Sequence, residues 1–185
     1  KEGILYIEFD VMFNTNRQVV LCHDQEDRNN VGNDLMVDIV DVEEGCSFIV
    51  DIKACGITGA EELAREVVKD ITPQTTKCSK HTWNLCSFNE YCVAELVELK
   101  DAAPFKVGVI SAGIPLGLFA HIDVDFVSLE YSFITQDIID VLRGRKIETY
   151  AYTVNSSFAK NNMKLLNING IITDIYCKRI EDKQE

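Results

Sequence analysis

Positively charged residues, prolines and glycines are scarce in this sequence of 185 residues. Lysine and arginine number 18 against 30 aspartates and glutamates, so the formal net charge is −12. Because such a surface repels phosphate backbones and anionic lipids, we expect no sequence-independent binding to nucleic acid or to a membrane surface. Three prolines, ten glycines and 46% hydrophobic residues exclude the disordered and collagen-like classes. The composition is that of a globular domain with its own core.

The sequence also lacks a long apolar run and any Cys-x-x-Cys pair. No run approaches the roughly 20 residues that cross a bilayer, and no hydrophobic segment of a signal peptide follows Lys1-Glu2-Gly3. The seven cysteines are widely spread, without zinc-type spacing. Cysteines at apolar strand positions, such as Cys22 and Cys86, are typical of reduced core residues. We therefore expect a cytoplasmic protein without a membrane span.

Short β-branched or aromatic runs alternate with segments of helical periodicity. The runs that predict strands are residues 4–12, 19–22, 48–53, 83–88, 106–110, 126–130, 148–154 and 170–173. From Trp83 onward these runs begin about 20 to 23 residues apart, the length of one βα unit. Helix starts are predicted at Thr58 and Ser87, which form capping boxes with Glu61 and Glu90, at Thr135, and at Asn155 or Ser156.

This alternation predicts an α/β fold of the TIM type, a (βα)8 barrel. An open doubly wound sheet is the alternative, but no glycine-rich phosphate loop follows the first strand. No linker, charge block or composition shift divides the chain, so residues 1–185 are expected to form a single barrel domain. A complete barrel typically takes about 200 or more residues, so this barrel is expected to be incomplete.

The first predicted strand carries two carboxylates near its carboxyl end. Apolar side chains occupy its odd positions, while Glu8 and Asp10 share the opposite face. Two carboxylates about 7 Å apart along a strand that faces a barrel interior repel each other unless a cation lies between them. Oxygen ligands favour Mg²⁺ or Ca²⁺. A solvated polar face of an edge strand is the alternative explanation.

Two further strand ends carry polar side chains. His23 ends an apolar strand, where an imidazole could be a general acid or base or have a structural role. In the strand of residues 48–53, Asp51 and Lys53 share the face opposite Val50 and Ile52. A carboxylate beside a lysine suits a further metal ligand and a cation for a phosphate oxygen, and an internal Asp–Lys ion pair is the alternative.

In their order along the chain, these strand ends resemble the glycerophosphodiester phosphodiesterase family. The family pattern E-x-D-V, followed by H-D thirteen positions after that Asp and later by E-I-K, matches Glu8-Phe9-Asp10-Val11, His23-Asp24 and Asp51-Ile52-Lys53. Three later segments match the family's S-F-N, Y-x-W-T-V-N and G-I-I-T-D motifs: residues 86–89, 149–155 and 170–174. The resemblance covers nearly the whole chain.

The resemblance implies a (βα)8 barrel that cleaves small glycerophosphodiesters to glycerol 3-phosphate and an alcohol. It also implies that Glu8, Asp10 and Asp51 bind one divalent ion, Mg²⁺ or Ca²⁺. His23 would act as the acid or base, and Lys53 would contact the phosphate. Under this interpretation the partner is a small substrate, with no nucleic acid involved.

The sequence departs from the family pattern at three points. Asp51 stands where the family has Glu, Tyr152 replaces the family's Trp in lining the pocket, and no H-R-G occurs anywhere in the chain. H-R-G opens the family's first barrel strand and supplies a second catalytic His and an Arg. The first βα unit is therefore expected to be missing or supplied elsewhere.

The missing unit would leave two open strand edges. An N-terminal segment, a partner chain in a homo-oligomer, or a rearranged barrel is expected to cover them. Because only one of the three histidines, His23, lies in a matched motif, the alternative to a hydrolase is a catalytically weak or inactive member of the fold that keeps the acidic cluster as a binding or structural site. Cleavage of the lyase type, which gives a cyclic phosphate, is a third possibility.

Overall fold

The structure, a computed structural model, describes residues 6–27, 29, 36, 47–77, 82–113, 117 and 121–175. Within these ranges eight strands form one sheet, in the order β2-β1-β3-β4-β5-β6-β7-β8. The strands are β1 (Tyr6–Phe13), β2 (Val19–Leu21), β3 (Ser47–Ile52), β4 (Thr82–Ser87), β5 (Phe105–Ser111), β6 (Phe126–Glu130), β7 (Glu148–Tyr152) and β8 (Gly170–Ile171). The helices are α1 (Ile57–Lys77), α2 (Glu90–Glu98), α3 (Gln136–Gly144) and α4 (Ser157–Leu165).

All strands except β2 run parallel, and β2 forms an antiparallel hairpin with the carboxyl half of β1. The helices α1, α2, α3 and α4 follow β3, β4, β6 and β7 respectively. This repeated connection brings the carboxyl ends of the parallel strands to one rim of the sheet. Side chains that follow strand ends therefore share one mouth.

Side-chain caps explain where three of the helices begin, whereas α1 begins at Ile57, so the predicted cap Thr58 lies inside that helix. Thr135 Oγ1 accepts a hydrogen bond from the Ile138 amide at the start of α3, and Ser156 caps α4, so these two predicted starts are confirmed. The prediction for α2 was wrong by two residues: its cap is Asn89, whose side chain accepts hydrogen bonds from two backbone amides. Ser87 instead donates to the Ile52 carbonyl oxygen.

The sheet is curled, as the close approach of its two ends shows. In a flat sheet β1 and β7 would lie five strand spacings, or about 24 Å, apart, yet the rings of Tyr6 and Tyr150 have centroids 5.9 Å apart. Among the described residues no strand joins β1 to β8. A cavity of about 460 Å³, lined among others by Glu8 and Gly170, separates these two strands. The predicted barrel is thus confirmed as a curled, open sheet.

Apolar side chains pack on both faces of this sheet. The outer face, which includes Val50, Ile52 and Leu85, forms the main core with the helices. The inner face carries a smaller cluster, which consists of Ile49, Cys86, Ile110, Phe126 and Tyr150. Within the described ranges, no helix combines the length and apolar character that a bilayer crossing requires.

Candidate functional site

Three carboxylates converge at the carboxyl ends of β1 and β3. The parallel register places Asp10 directly beside Asp51, and Glu8 lies two residues earlier on the same face of β1. One carboxylate oxygen from each of the three residues lies within 4.8 Å of the others. The structure therefore brings together the residues that the sequence predicts as metal ligands, and their role as ligands stays a prediction.

Lys53 is the cation of this cluster. Its Nζ is 3.0 Å from Asp10 Oδ1 and donates a hydrogen bond to Asp51 Oδ2. Burial lowers the pKa of Lys53, but the hydrogen bonds and charges of Asp51 and Asp10 together outweigh burial and raise it. The ammonium group is thus held charged between the two aspartates. The internal Asp51–Lys53 ion pair is present, and it engages only one of the two oxygens of Asp51.

The other oxygen, Asp51 Oδ1, is buried and has no hydrogen-bond partner among the described residues. A buried carboxylate oxygen without a partner is costly unless a cation compensates it. When ionised, the three carboxylates and the single ammonium of Lys53 carry a net charge of −2, which one divalent ion would neutralise. Oxygen donors on neighbouring strands fit Mg²⁺ or Ca²⁺ in chemistry and in charge.

Burial, with a smaller contribution from neighbouring like charges, raises the pKa values of two carboxylates of the cluster. Desolvation, followed by the charges of Asp10 and Asp51, raises the pKa of Glu8 to about 7. Burial raises the pKa of Asp51 to about 6, although the hydrogen bond from Lys53 acts in the opposite direction. Above pH 7 both groups are ionised, so the cluster attracts a cation most strongly there.

His23 lies beside this cluster but outside it. The backbone amide of Cys22 donates to the Asp10 carbonyl oxygen at 3.1 Å, so the residue before His23 is anchored to β1. The imidazole is 70% exposed, and its Nδ1 is 2.9 Å from Asp24 Oδ1. His23 and Lys53 line one cleft of about 420 Å³. The placement gives the imidazole access to a group bound at Lys53, whereas its role in acid–base chemistry stays a prediction.

Two aromatic side chains pack together near Lys53, and one of them, Phe88, lines the cleft. The Tyr152 ring, at the end of β7, meets the Phe88 ring edge to face, with centroids 6.1 Å apart. Lys53 Nζ lies 5.4 Å from the Phe88 ring centroid. Burial, followed by the charges of Glu130 and Asp51, raises the pKa of Tyr152. Sequence reasoning did not assign a role to Phe88, and its place directly after a strand end was the available signal.

Hydrogen bonds between neighbouring loops explain several residues of the sequence motifs. Ser87 Oγ donates to the Ile52 carbonyl oxygen at 2.6 Å and so ties the end of β4 to the end of β3. The Asn155 side-chain oxygen accepts from Thr173 Oγ1 at 3.1 Å and from the Asp174 amide at 3.0 Å. These contacts fix the loops after β7 and β8 relative to each other. The motifs thus hold the mouth in shape.

Several solved structures with the same fold are described as phosphodiesterases or glycerophosphodiester phosphodiesterases. A phosphodiesterase from Oleispira antarctica, in complex with sn-glycerol-3-phosphate, is 16% identical with a TM-score of 0.77, over 93% of this chain and 82% of that one. A glycerophosphodiester phosphodiesterase from Parabacteroides distasonis is 14% identical with a TM-score of 0.70, over 90% of this chain and 78% of that one. The glycerophosphodiester phosphodiesterase from Thermotoga maritima is 16% identical with a TM-score of 0.65, over 90% of this chain and 80% of that one. No family model and no curated protein matches the chain.

The TM-scores establish the architecture of the chain, whereas identities of 14 to 16% do not assign its chemistry. The chain has the TIM-barrel fold of glycerophosphodiester phosphodiesterases, in an open form. Because a fold supports many activities, function has to be argued from the site.

Proposed function

We propose that the chain is a metal-dependent phosphodiesterase that cleaves glycerophosphodiesters to glycerol 3-phosphate and an alcohol. The observation that carries this proposal is the convergence of Glu8, Asp10 and Asp51 within 4.8 Å at the mouth of the sheet. Two further facts support it. Lys53 adjoins two of the carboxylates, and one structural neighbour was solved with sn-glycerol-3-phosphate.

Each residue of the mouth has a role in this proposal. Glu8, Asp10 and Asp51 would hold one divalent ion, Mg²⁺ or Ca²⁺, which when bound would polarise the phosphodiester and lower the pKa of the attacking oxygen. Lys53 would place its ammonium group against a phosphate oxygen. Both roles use the negative charge of the substrate, which the net charge of −12 otherwise repels.

His23 and Tyr152 would act on the rest of the substrate. His23 would transfer the proton between the reacting oxygens and water, and Asp24 would orient its ring through the contact at Nδ1. Tyr152 would line the pocket beside Lys53, since its ring is held by Phe88. Because the proposal assigns proton transfer to His23 alone, a substitution of His23 tests this step directly.

Hydrolysis of glycerophosphocholine tests the proposal, with release of glycerol 3-phosphate measured in Mg²⁺, in Ca²⁺ and in EDTA. We expect turnover that requires a divalent ion. Asp51→Asn should lower kcat/KM by at least about 100-fold, because loss of a metal ligand should cost more than loss of a residue that hydrogen-bonds to a ligand, which costs about 10- to 100-fold. His23→Gln should lose about 10²- to 10⁴-fold. Phosphorus NMR of the products separates glycerol 3-phosphate from a cyclic phosphate.

Matched controls come from the same residue types outside the mouth. Asp140→Asn, on the exposed side of α3, and His121→Gln, at another exposed position, should retain wild-type turnover. Turnover that is equal in EDTA and in Mg²⁺ would overturn the role of the metal. Full turnover in His23→Gln would remove His23 from the mechanism.

Binding of a metal without turnover is the second candidate function. The observation that favours it is the 70% exposure of His23, which holds the imidazole in solvent and outside the acidic cluster. In that case calorimetry with Mg²⁺ or Ca²⁺ would show binding that Asp51→Asn abolishes, while no glycerol 3-phosphate appears even at high protein concentration.

A further inference from the structure

The cavity between β1 and β8 follows the backbone of β8. We refer to this gap between the two strands as the seam. Six consecutive residues, from Asn169 to Asp174, line the cavity of about 460 Å³. Because the side chains of a strand alternate between its two faces, a cavity on one face meets only every second residue. Contact with six residues in a row therefore means that the cavity lies against the edge of the strand, where the backbone groups are.

On the other side of the seam, β1 presents backbone groups that no described strand pairs with. The Asp10 carbonyl oxygen accepts a hydrogen bond from the Cys22 amide, on the side of β1 away from β3. Backbone groups alternate in direction from residue to residue, so the N–H and C=O groups of Glu8 point to that same side. Among the described residues, β2 pairs with β1 only at residues 11–13, and no other strand lies on that side. Such an edge is a template for the addition of a strand.

The inner side of the seam is acidic. Glu8 and Asp174 both line the cavity. Asp10 and Asp51 lie next to Glu8 in the acidic cluster. Lys53, the cation of this cluster, contacts Asp10 and Asp51 and does not line the cavity. Charge complementarity therefore favours a basic side chain on the inner side of an added strand.

The outer side of the seam is apolar. Ile7 and Phe9 on β1 pack against the outer core and are only partly buried. Ile171 on β8 lies beside Ala151 of the outer core and is 39% exposed. Since the side chains of an added strand alternate, its outward residues would cover these apolar groups while its inward residues would meet the carboxylates. The seam thus suits a segment in which apolar and basic residues alternate.

Charge also decides between a second copy of the chain and a different protein. Contact between the edges of two copies would bring two acidic seams together, and each copy has a net charge of −12. We propose that the seam binds an extended segment of a partner protein, with alternating apolar and basic residues, as an added strand between β1 and β8. The seam is separate from the cleft that His23 and Lys53 line, so this proposal does not depend on the proposed hydrolase.

Binding of a synthetic peptide tests the proposal without any turnover. The probe is a fluorescein-labelled peptide of about nine residues, in which valine and lysine alternate, and fluorescence anisotropy measures its affinity. The matched control peptide has the same sequence with N-methyl groups on alternate residues, which removes the backbone donors toward one side and keeps every charge. Because a net hydrogen bond contributes about 2- to 10-fold to binding, we expect the N-methylated peptide to bind at least about fivefold more weakly.

Variants of the protein locate the binding site. Asp174→Asn removes one charge of the seam and keeps an oxygen for the hydrogen bond from Asn155, so it should weaken binding of the alternating peptide by about 2- to 5-fold. Asp140→Asn on the exposed side of α3 changes the net charge equally, and it should alter the affinity by less than about 1.5-fold. The bound peptide should also slow hydrogen exchange at the Glu8 amide.

Each outcome supports or overturns the added strand. Tighter binding of the unmethylated peptide, together with protection of the Glu8 amide, supports it. Equal affinity of the two peptides, or equal losses in Asp174→Asn and Asp140→Asn, would mean that net charge alone attracts the peptide, and this result or absent binding overturns the proposal. Slow exchange of the Glu8 amide in the free monomer would assign the seam to a segment of the chain itself. A dimer in sedimentation that the peptide does not dissociate would assign it to a second copy.

Discussion

The outer and inner faces of the curled sheet are made by the same strands but differ in what they bury. On β3, Val50 and Ile52 point outward into the continuous apolar core under the helices, whereas Ile49 and Asp51 point inward. The inner apolar cluster is small and borders the cavity at the open edge. Alternation along a strand lets one segment serve both purposes. The outer face holds the sheet together, and the inner face carries groups that oppose folding.

Substitutions of two isoleucines on β3 test whether the outer face contributes more to stability than the inner face. Ile52 is fully buried on the outer face and Ile49 is 2% exposed on the inner face, where it lines the cavity. Ile52→Ala should lower the free energy of unfolding by about 4 kcal/mol, and Ile49→Ala by about 2 kcal/mol, because a site next to an existing cavity loses fewer contacts. Denaturant unfolding followed by the fluorescence of Trp83 measures both values.

The comparison fails if Ile49→Ala costs as much as Ile52→Ala. That result would mean that the inner cluster is packed as tightly as the outer core. Addition of a divalent ion in excess is a useful second condition, since it should stabilise the wild type and both variants alike through the acidic cluster.

A glycine on the inner face gives a second, smaller effect. A Cβ atom at Gly108 would lie 2.3 Å from the ring of Phe126, which fills the space above β5. Gly108→Ala should therefore destabilise the protein by about 2 kcal/mol. At Gly113 a Cβ atom would meet nothing within 4 Å, so Gly113→Ala is the matched control, with an effect within about 0.5 kcal/mol. Adding Phe126→Leu should restore part of the loss in Gly108→Ala, and absence of any rescue would contradict the assigned clash.

The sequence was most informative where alternation along a strand decides direction. Glu8 and Asp10 are separated by one apolar residue, so alternation along the strand predicted that they share a face. The position of Asp51 beside Asp10 was implied only by the resemblance of the motifs, because the regular step between βα units begins at Trp83, after β3. The strand of residues 126–130, predicted from a short β-branched and aromatic run, has the bounds that were predicted.

Features that depend on distant parts of the chain were not predictable. Ser87 has the residue type and spacing of a helix cap, yet it hydrogen-bonds to Ile52, 35 residues away, and Asn89 caps α2 instead. Likewise, the contact of Phe88 with Lys53 joins the ends of β4 and β3. No local pattern reports how the ends of two strands approach each other in a curled sheet.

The pH dependence of stability sharpens the contrast between the faces, with the smallest expected effect. Because the pKa values of Glu8 and Asp51 are raised to about 7 and about 6 from 4.5 and 3.8, the folded state binds more protons than the unfolded chain between about pH 4 and 7. The free energy of unfolding in EDTA should therefore fall as the pH rises through that window. Glu8→Gln should weaken this dependence and stabilise the metal-free protein at pH 8 by about 0.5 to 1 kcal/mol, a value reduced by the solvent exposure of Glu8.

A divalent ion should reverse this trend, because it binds the ionised carboxylates. In excess Mg²⁺ or Ca²⁺, the gain in unfolding free energy should be larger at pH 8 than at pH 5.5, and Glu8→Gln should reduce it. The control is Glu130→Gln at the same mouth, since Glu130 accepts a hydrogen bond from Ser132 and lies outside the acidic cluster. If stability in EDTA instead rises with pH between 5 and 7, and Glu8→Gln does not change that slope, burial and the neighbouring charges do not raise the pKa values of Glu8 and Asp51 in solution. The ionised carboxylates of the inner face would then cost the folded state nothing that a metal could offset.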